Sequence, residues 1–505
     1  MYKKRRMRRR PLALTAALLL LLSAAGCSPQ SKKPTGSSDV ISSSPEAEIT
    51  TAPPKENKEF TLHYNAGDSL NPFSAATRSN LQLATLLFES LTALDDQWTA
   101  QPSLAASVTV DSTTVTALLR SDAVFSDGSP VTAADAAASF ELAKASDNYK
   151  ALLQNVASAS VSGNSVVFTL NSPDPNAAAC LTFPIIKAGS GDAPIGSGRY
   201  VFSGGDSPAL ERNPHNADGG AFAVVRLKDL PNTDAVLRAL EGGTISYYFD
   251  DLSSGEIPRT SSASASVPLP SLVFIGVNSQ KSELSAPEVR CALSKAVARE
   301  ELAANAFAGR AQASASPFPP AFGPAVECTG IDAAENVAVA VAQLEQAGYN
   351  SENGRGLSLE LLVSEDNSFR KAAASLLVDQ LARAGVSLTV TTLPHSELVS
   401  RLQSGDFELY LGEIRLTADM SLRPLLASDG TASYGVDVDG AAAVAYAQYL
   451  AGTGTLQQFV DAFAADAPFL PLCWRNGLAA FDRSLIGVES TAFDAFHGFD
   501  AWSFS

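Results

Sequence analysis

Polar and apolar residues alternate in some segments of the chain and recur at helical spacing in others. Residues 60–64 alternate as a half-buried strand does, which predicts the first strand of the globular part. Thr132 and Asp135 form the pattern of a capping box, and an Ala-rich run to residue 145 continues the helix. Asp135 is therefore interpreted as structural. Before this box, a short amphipathic helix is predicted from inward positions at helical spacing: Leu81, Thr85, Phe88 and either Leu91 or Thr92.

The second half of the chain is more regular and predicts the order β-α-β-α-β. Gly385 stands where a helix ends in a left-handed C-cap. The order predicts a doubly wound, largely parallel α/β unit, and ligands of such sheets bind at the carboxyl ends of the strands, here after Leu411. The predicted strands and helices are, in chain order, strand 357–363, helix 369–384, strand 387–392, helix 396–403 and strand 407–411.

The N-terminus has the pattern of a signal peptide, with a basic run before an uncharged apolar stretch. The apolar stretch at 11–25 is shorter than the about 20 residues that a membrane-spanning helix needs. A small-residue site ending at Gly26 precedes Cys27 and resembles the lipobox of bacterial lipoproteins. Residues 1–26 are predicted to be the signal peptide and Cys27 the lipid-modified first residue, with ordinary signal-peptidase cleavage as the alternative. The basic residues are Lys3, Lys4, Arg5, Arg6, Arg8, Arg9 and Arg10.

The exported chain is acidic and begins with a polar tether. Residues 27–58 hold the lipidated cysteine and a Ser-, Pro- and Thr-rich segment too polar to bury a core. Without the seven basic residues of the leader, 29 Lys and Arg stand against 53 Asp and Glu, a net charge of −24. Such a field repels phosphates, so nucleic acid is excluded as a partner. The remaining length predicts two or three domains.

Cysteines and histidines give no sign of a metal or redox centre. No two cysteines form a Cys-x-x-Cys pair, and no two histidines stand four residues apart. No metal and no cofactor are therefore expected. By position Cys291 and Cys328 are the favoured disulfide pair, and free buried thiols are the alternative. Besides Cys27, the residues in question are Cys180, Cys291, Cys328, Cys473, His63, His215, His395 and His497.

Blocks of sequence from about residue 60 to the end recur in the order of one protein family. The most specific block, 119–135, contains Asp127-Gly128-Ser129-Pro130 and is followed by Ser139-Phe140. By these blocks the chain resembles the peptide-type family of extracellular solute-binding proteins, which includes oligopeptide, dipeptide and nickel-chelate receptors. Ala298 departs from an aspartate that is common in the family. The other blocks are 69–72, 87–91, 101–105, 196–200, 211–214, 274–278, 289–296, 344–349 and 404–409.

The resemblance implies an α/β, two-lobed clamshell of the periplasmic-binding-protein type (type II-like), with an extra subdomain in the first lobe. The chain would cross between the lobes near 272–278 and near 466–474. The expected boundaries are a first lobe of 60–75, 190–275 and 468–505, its subdomain at 76–190, and a second lobe at 276–467.

The resemblance also implies a function, that of a lipid-anchored substrate-binding receptor on the extracytoplasmic face of the bacterial cell membrane. Such a receptor captures peptides or similar small solutes by lobe closure and delivers them to the transmembrane subunits of an ABC permease. The expected partners are a small solute, the permease and, through the lipid anchor, the membrane. We expect a monomer. A sensor lipoprotein that binds ligand without transporting it is the alternative.

In peptide receptors of this family, an aspartate of the second lobe pairs with the α-amino group of the peptide. Asp419 is the candidate here, although its spacing is about two residues longer than the family pattern and the preceding aromatic residue is missing. Arg415 lies on the same approach and would bind a carboxylate instead, because its guanidinium matches two oxygens. The remaining cleft candidates, for whose aromatic members core packing is the alternative, are Asn65, Gly67, Tyr248, Phe249 and Trp474.

A serine-hydrolase motif offers a competing interpretation. Gly67-Asp68-Ser69-Leu70 matches the nucleophile motif of one hydrolase family, in which Asp494 and His497 would complete a triad with Ser69. The Gly-x-Asn-Asp block of that family, which supplies an oxyanion donor, is absent from the sequence. The protein is therefore predicted not to be an enzyme.

Overall fold

The structure is a computed structural model that describes residues 58–350 and 353–505. The predicted signal peptide, Cys27 and the tether up to residue 57 lie outside the described residues. Within the described ranges, no helix is both long and apolar enough to cross a bilayer.

Strands and helices follow one another along the described chain. The strands are β1 Phe60–Tyr64, β2 Thr92–Leu94, β3 Ala100–Pro102, β4 Ala105–Asp111, β5 Thr114–Leu119, β6 Val156–Ser162, β7 Ser165–Leu170, β8 Tyr200–Ser203, β9 Ala209–Arg212, β10 Val224–Asp229, β11 Tyr247–Asp250, β12 Ala263–Val277, β13 Ala311–Ala313, β14 Leu357–Ser364, β15 Val386–Leu393, β16 Leu409–Arg415, β17 Phe469–Phe481, β18 Leu485–Ile486 and β19 Ser503–Phe504. The helices are α1 Arg78–Leu87, α2 Ala133–Ala145, α3 Thr233–Glu241, α4 Pro287–Lys295, α5 Arg299–Glu301, α6 Gly323–Val326, α7 Val337–Gln346, α8 Ser368–Arg383, α9 His395–Ser404, α10 Arg423–Leu426, α11 Ala441–Leu450 and α12 Leu456–Asp466.

A large mixed sheet runs through the molecule in the order β15-β14-β16-β12-β17-β11-β1-β10-β9-β8, with β13 beside β17. β14 pairs in parallel with β15 and β16, so the predicted doubly wound unit is confirmed. Gly385 has a φ of 79°, the left-handed conformation predicted for it. The third strand continues to Arg415, beyond the predicted end at Leu411, because it pairs with β12 over that length.

Two long strands join the halves of this sheet. β12 and β17 pair antiparallel along their length, with register shifts between Pro268 and Leu272 and between Val273 and Phe274. The ends of the two strands have different neighbours: β16 lies beside the later part of β12, whereas β11 lies beside the later part of β17. The fold is thus the predicted two-lobed α/β type with an additional four-stranded sheet, β4-β5-β7-β6.

The first helix is shorter than predicted. It ends at Leu87, because Phe88 is extended and the Glu89 carbonyl accepts a hydrogen bond from the Ile185 amide at 2.8 Å. Tertiary pairing therefore ends the helix before Leu91, which the helical pattern had included. Its apolar side chains still pack into the core of the first lobe.

All four described cysteines are free thiols. Cys291 contacts the carbonyls of Ala464 and Ala465, and Cys328 contacts that of Pro324, so the favoured disulfide pair is not formed.

The capping box that begins α2 is present. The Asp135 amide donates to the Thr132 hydroxyl at 3.3 Å, and the Thr132 amide donates to the Asp135 carboxylate at 2.9 Å. Asp135 also accepts from the Ala188 amide at 2.8 Å. The structural role predicted for Asp135 is confirmed, and this carboxylate links α2 to the neighbouring loop.

Replacing Thr132 by Ala is expected to lower the free energy of unfolding by about 1 kcal/mol, because one end of the capping box is lost. Chemical denaturation followed by far-UV circular dichroism measures this. The control is Thr329→Ala, at an exposed threonine outside the helices, which is expected to change the value by less than about 0.5 kcal/mol. Equal effects of both variants would contradict the capping role.

Candidate functional site

The hairpin of β2 and β3 packs a tryptophan against residues that are distant in the chain. Trp98, between β2 and β3, has a φ of 55° and is only 4% exposed. It belongs to one hydrophobic cluster with Leu416, Met420 and Trp474, and its ring meets that of Phe493 edge-on at 5.3 Å. A positive φ at a bulky residue costs roughly 1–3 kcal/mol, and such strain concentrates at functional sites.

Trp474 lies on β17, between β12 and β13. It is 2% exposed, and its indole nitrogen donates to the Ser316 carbonyl at 3.4 Å. A cavity of about 300 Å³ separates it from Trp98 and is also lined by Pro268, Leu269 and Asn476. The cavity lies beside the paired strands β12 and β17, and residues from both strands and from the Trp98 hairpin line it.

Asp419 is buried in the turn that follows β16, at 4% exposure. Its carboxylate accepts hydrogen bonds from the Thr417 hydroxyl and, at 3.8 Å, from the Cys180 thiol. Burial raises the pKa of Asp419, and it raises the pKa of the Cys180 thiol well above its ordinary value. A buried carboxylate whose hydrogen-bond partners are a hydroxyl and a thiol is well suited to receive a cation.

Arg415, the last residue of β16, bridges the segments around Asp251 and Ala492. Its guanidinium lies 3.3 Å from Asp251 and donates to the Ala492 carbonyl at 3.1 Å. Asp251 also pairs with Arg78, which lowers the pKa of Asp251 against the effect of burial. We call the region around Trp98, Glu413, Asp419 and Trp474 the junction. The Arg415 side chain is 43% exposed, so its ion pair lies at the edge of this region.

A buried arginine was missed by the sequence analysis. Arg475, next to Trp474 on β17, has a side chain that is 1% exposed. Its guanidinium lies 3.4 Å from Glu413, donates to the Leu252 carbonyl at 3.0 Å, and stacks on Phe369 at 4.7 Å. It thereby ties the loop after β11 to β16 and to α8. One signal in the sequence could have indicated it. Glu413 and Arg415 stand two positions apart and so share one face of β16, and a carboxylate on a buried strand needs a cationic partner nearby.

The Glu413 carboxylate lies within ion-pair distance of two arginines. Arg370, on the first turn of α8, lies 3.8 Å from the same carboxylate. The Nε atoms of both Arg370 and Arg475 are buried without a hydrogen-bond partner among the described residues. Two cations for one anion leave this part of the junction with an excess positive charge.

Three of the predicted cleft residues lie together at a different place. Asn65, Tyr248 and Phe249 line a cavity of about 710 Å³ at the carboxyl ends of β1, β10 and β11. Tyr248 donates to Asp250 at 2.7 Å, and Phe249 is 7% exposed in the core. The lining of this cavity comes from residues within 62–83 and 230–259 and from Phe496, so the structure groups these residues apart from Asp419 and Trp474.

Gly67 belongs to the turn after β1. Its amide donates to the Asn65 side chain at 2.9 Å. A Cβ at this position would lie 3.3 Å from the same Asn65 oxygen. Because a side chain at this position would crowd the Asn65 oxygen, the glycine is explained by the geometry of the turn.

The hydrolase triad is not assembled by the described hydrogen bonds. Ser69 Oγ accepts from the Asn71 amide at 2.9 Å, whereas His497 pairs with Asp96 at 2.9 Å. Asp494 accepts from the Thr85 hydroxyl at 2.7 Å. In residues 58–350 and 353–505, no group of three His, Cys, Asp or Glu side chains is arranged to hold a metal ion.

The fold and the junction define the class: two α/β lobes joined by two strands, with buried charges and tryptophans between them, form a solute-binding protein. A model of bacterial extracellular solute-binding proteins, family 5 Middle, matches residues 99–430. The chain belongs to this family, and the peptide- and nickel-type resemblance is confirmed. Members of the family and the related structures are binding proteins of transporters rather than enzymes.

Related proteins cover most of the chain. The glutathione-binding protein GsiB of Salmonella typhimurium is 26% identical over 470 residues, which cover 83% of this chain and 89% of that protein. The open form of the periplasmic murein tripeptide binding protein MppA superposes with a TM-score of 0.73 at 18% identity, over 89% of this chain and 98% of that one. The ABC transporter substrate-binding protein CtaP of Listeria monocytogenes gives 0.68 at 20% identity, over 89% and 100%. The two structures show the shared fold.

Replacing Arg475 by Met is expected to cost about 3–5 kcal/mol of unfolding free energy, because Glu413 then loses its buried partner. Urea denaturation measures the loss. The double variant Arg475→Met with Glu413→Gln should recover part of it. Arg383→Gln, at an exposed ion pair of α8, is the matched control and should cost about 0–1 kcal/mol. A loss at Arg475 as small as the control's would show that its removal leaves no uncompensated buried charge at Glu413.

Proposed function

We propose that this protein is the receptor of an ABC importer for peptides and that it holds the peptide at the interlobe junction. The observation that carries the proposal is the buried carboxylate of Asp419, which follows β16 and faces the first lobe through Cys180 at 3.8 Å. A peptide α-ammonium group would supply the missing positive charge. Paired and hydrogen-bonded charges are the ones that proteins tolerate when buried.

The edge of β16 supports a peptide over other solutes. This strand pairs with β14 only at Leu409 and Tyr410, so residues 411–415 lack a described strand on that side. An extended peptide can add its backbone hydrogen bonds to such an edge. The strand leads directly to Asp419, and this supports a binding mode in which the amino terminus of the peptide lies at the end of the edge.

The arginines of the junction carry the positive charge that would bind the carboxylate end of a peptide. Arg370 and Arg475 share one carboxylate, and Arg415 stands at the rim. A peptide carboxylate is the natural partner of such groups because guanidinium donors match its two oxygens. Both ends of a short peptide therefore have counter-charges along one strand.

The relatives support the same solute class, since their names include a glutathione-binding protein and a murein tripeptide binding protein. We propose that the protein is anchored through a lipid on Cys27, acts as a monomer and delivers its solute to a permease at the extracytoplasmic face. The proposed lobes are those of the sequence analysis, with 60–75, 190–275 and 468–505 in the first, 76–190 as its subdomain and 276–467 in the second.

The solute prediction is tested with protein that has been unfolded and refolded to remove bound ligand. A peptide at 100 times its dissociation constant is expected to add about 2.7 kcal/mol to stability, which raises the melting temperature by up to a few degrees. Peptide pools should give this shift, while the same peptides with acetylated amino termini should not. Amino acids, oligosaccharides and nickel chelates serve as comparison pools.

Asp419→Asn is expected to weaken peptide binding about 30-fold or more, as the loss of a buried charged partner does at roughly 2–5 kcal/mol. Titration calorimetry measures the affinity. Asp429→Asn, at an exposed aspartate ten positions further on, should leave it unchanged. Unaltered affinity in Asp419→Asn would remove the amino-terminal anchor, and stabilisation by another pool alone would refute the peptide assignment. Uptake of labelled peptide that depends on this protein tests the transport role.

A further inference from the structure

A further cavity of about 440 Å³ lies beside β8, the last strand at one edge of the large sheet. We call it the β8 cavity. Its lining comes mainly from the end of β1 and the turn after it, the end of α1, the loop 192–196 and β8 itself. It shares no lining residue with the cavity of about 710 Å³ or with the cavity beside Trp98 and Trp474. The β8 cavity is therefore separate from the junction.

The walls of the β8 cavity are mostly apolar, and Phe202 on β8 is 40% exposed. A small molecule in the cavity would remove apolar surface from water, which is the main attraction that such walls offer. The volume lies in the range of about 300–1,000 Å³ that is usual for small-molecule sites. The apolar and aromatic lining residues include Tyr64, Leu70, Phe88, Ile195, Val201 and Phe202.

Backbone hydrogen bonds hold the wall of the cavity in place. The Ser126 amide donates to the Gly196 carbonyl at 2.9 Å, and the Lys187 amide donates to the Ile195 carbonyl at 2.9 Å. A Cβ at Gly196 would lie 2.2 Å from the Leu87 carbonyl oxygen, so only glycine lets the loop approach α1 this closely. The cavity is thus formed before a ligand enters, as most small-molecule sites are.

One polar side chain of the lining lacks a partner. Tyr64 is 9% exposed, and its hydroxyl makes no hydrogen bond to any residue that the structure describes. Burial, and then the charge of Asp229, raises the pKa of Tyr64, so the hydroxyl stays uncharged. Buried polar groups normally have a hydrogen-bond partner, and a ligand in the cavity would supply the one that is missing here.

The charged groups of the lining are carboxylates. Asp68 and Asp192 line the cavity, whereas no lysine, arginine or histidine does. The Asp68 carboxylate already accepts from the amides of Ala76 at 3.0 Å and Thr77 at 2.7 Å. Asp192 is exposed and forms no ion pair with the described residues. An anionic ligand would meet like charge here, while an ammonium group would meet an opposite one.

We propose that the β8 cavity is a second binding site, which takes a small organic amine. The apolar body of the amine packs between Phe88, Ile195 and Phe202. Its ammonium group donates to the Tyr64 hydroxyl oxygen and faces the carboxylate of Asp192. The cavity lies outside the junction, so this inference does not depend on the proposed peptide receptor.

Calorimetric titration of the refolded, ligand-free protein tests the ligand class. The probes are phenethylamine, phenethyl alcohol and phenylacetate, which have similar apolar bodies and different charges. We expect phenethylamine to bind tightest and phenethyl alcohol to bind up to about fivefold more weakly, since a partly exposed ion pair contributes little more than that. Phenylacetate should bind weakest. The inference is refuted if phenethylamine shows no saturable binding or if phenylacetate binds as tightly as phenethylamine.

Variants of the lining locate the bound amine. Ala193→Trp puts a large side chain at an exposed position of the lining and should abolish phenethylamine binding. Tyr64→Phe should weaken binding by about two- to tenfold through the loss of one hydrogen bond, and should not lower the melting temperature, because the hydroxyl has no partner in the protein. Asp206→Asn, at an exposed aspartate after β8, is the control and should leave the affinity unchanged.

Full affinity for phenethylamine in Ala193→Trp or in Tyr64→Phe would overturn the inference. Far-UV circular dichroism verifies the folding of each variant. If Ala193→Trp does not fold, the double variant of Tyr64→Phe with Asp192→Asn replaces it, and phenethylamine should then bind no more tightly than phenethyl alcohol.

A competition experiment separates this inference from the proposed function. A saturating peptide should leave the phenethylamine affinity unchanged, because the β8 cavity lies outside the junction. Competition between the two would show that the amine binds at the junction and would refute the second site. If no peptide binds, the proposed function fails, while the phenethylamine titration still supports or refutes the β8 cavity as a site.

Discussion

The antiparallel pairing of β12 with β17 is the constraint on which the rest of the molecule depends. These strands of 15 and 13 residues are shared by both lobes, so neither lobe completes its sheet without them. Pro268 and Pro270 lack the amide hydrogen that regular pairing requires, and the register shifts between Pro268 and Leu272. At this break in the β12–β17 ladder, residues Cys473 to Arg475 of β17 pair with β13 on their other side, and Ser271 and Leu272 of β12 pair with β16.

The pairing of β12 with β17 determines which side chains meet at the junction. Side chains from β16, β17 and the Trp98 hairpin come together where the neighbours of the two long strands change, and they include both aromatic rings and charged groups. Arg475 pairs with Glu413 and also binds the Leu252 carbonyl at 3.0 Å, so its contacts join β17 to β16 and to the loop after β11. Compared with apolar side chains the pair as a whole adds little net stability, whereas removing one partner leaves a buried charge uncompensated, so the retention of the pair is better explained by fixing the arrangement of these segments.

Local patterns predicted the local structure, and long-range pairing decided the rest. The capping box at Thr132 and the doubly wound unit around β14 depend on neighbours in sequence, and both were predictable. The helix that ends at Leu87 and the strand that continues to Arg415 depend on partners far away in the chain. The burial of Asp174 beside Asp419 could not be predicted for the same reason. No local pattern in the sequence links two residues that lie so far apart in the chain.

The distribution of charge within the junction gives the site a direction. In a chain with 53 acidic and 36 basic residues, Arg370 and Arg475 contact Glu413 on β16 and Arg415 ends that strand, whereas the buried carboxylate of Asp419 follows the strand in the chain. A dipolar solute laid along the strand meets opposite charges in one orientation and like charges in the other. Since like charges are costly where water is excluded, the geometry that would attract the proposed peptide would also fix its polarity.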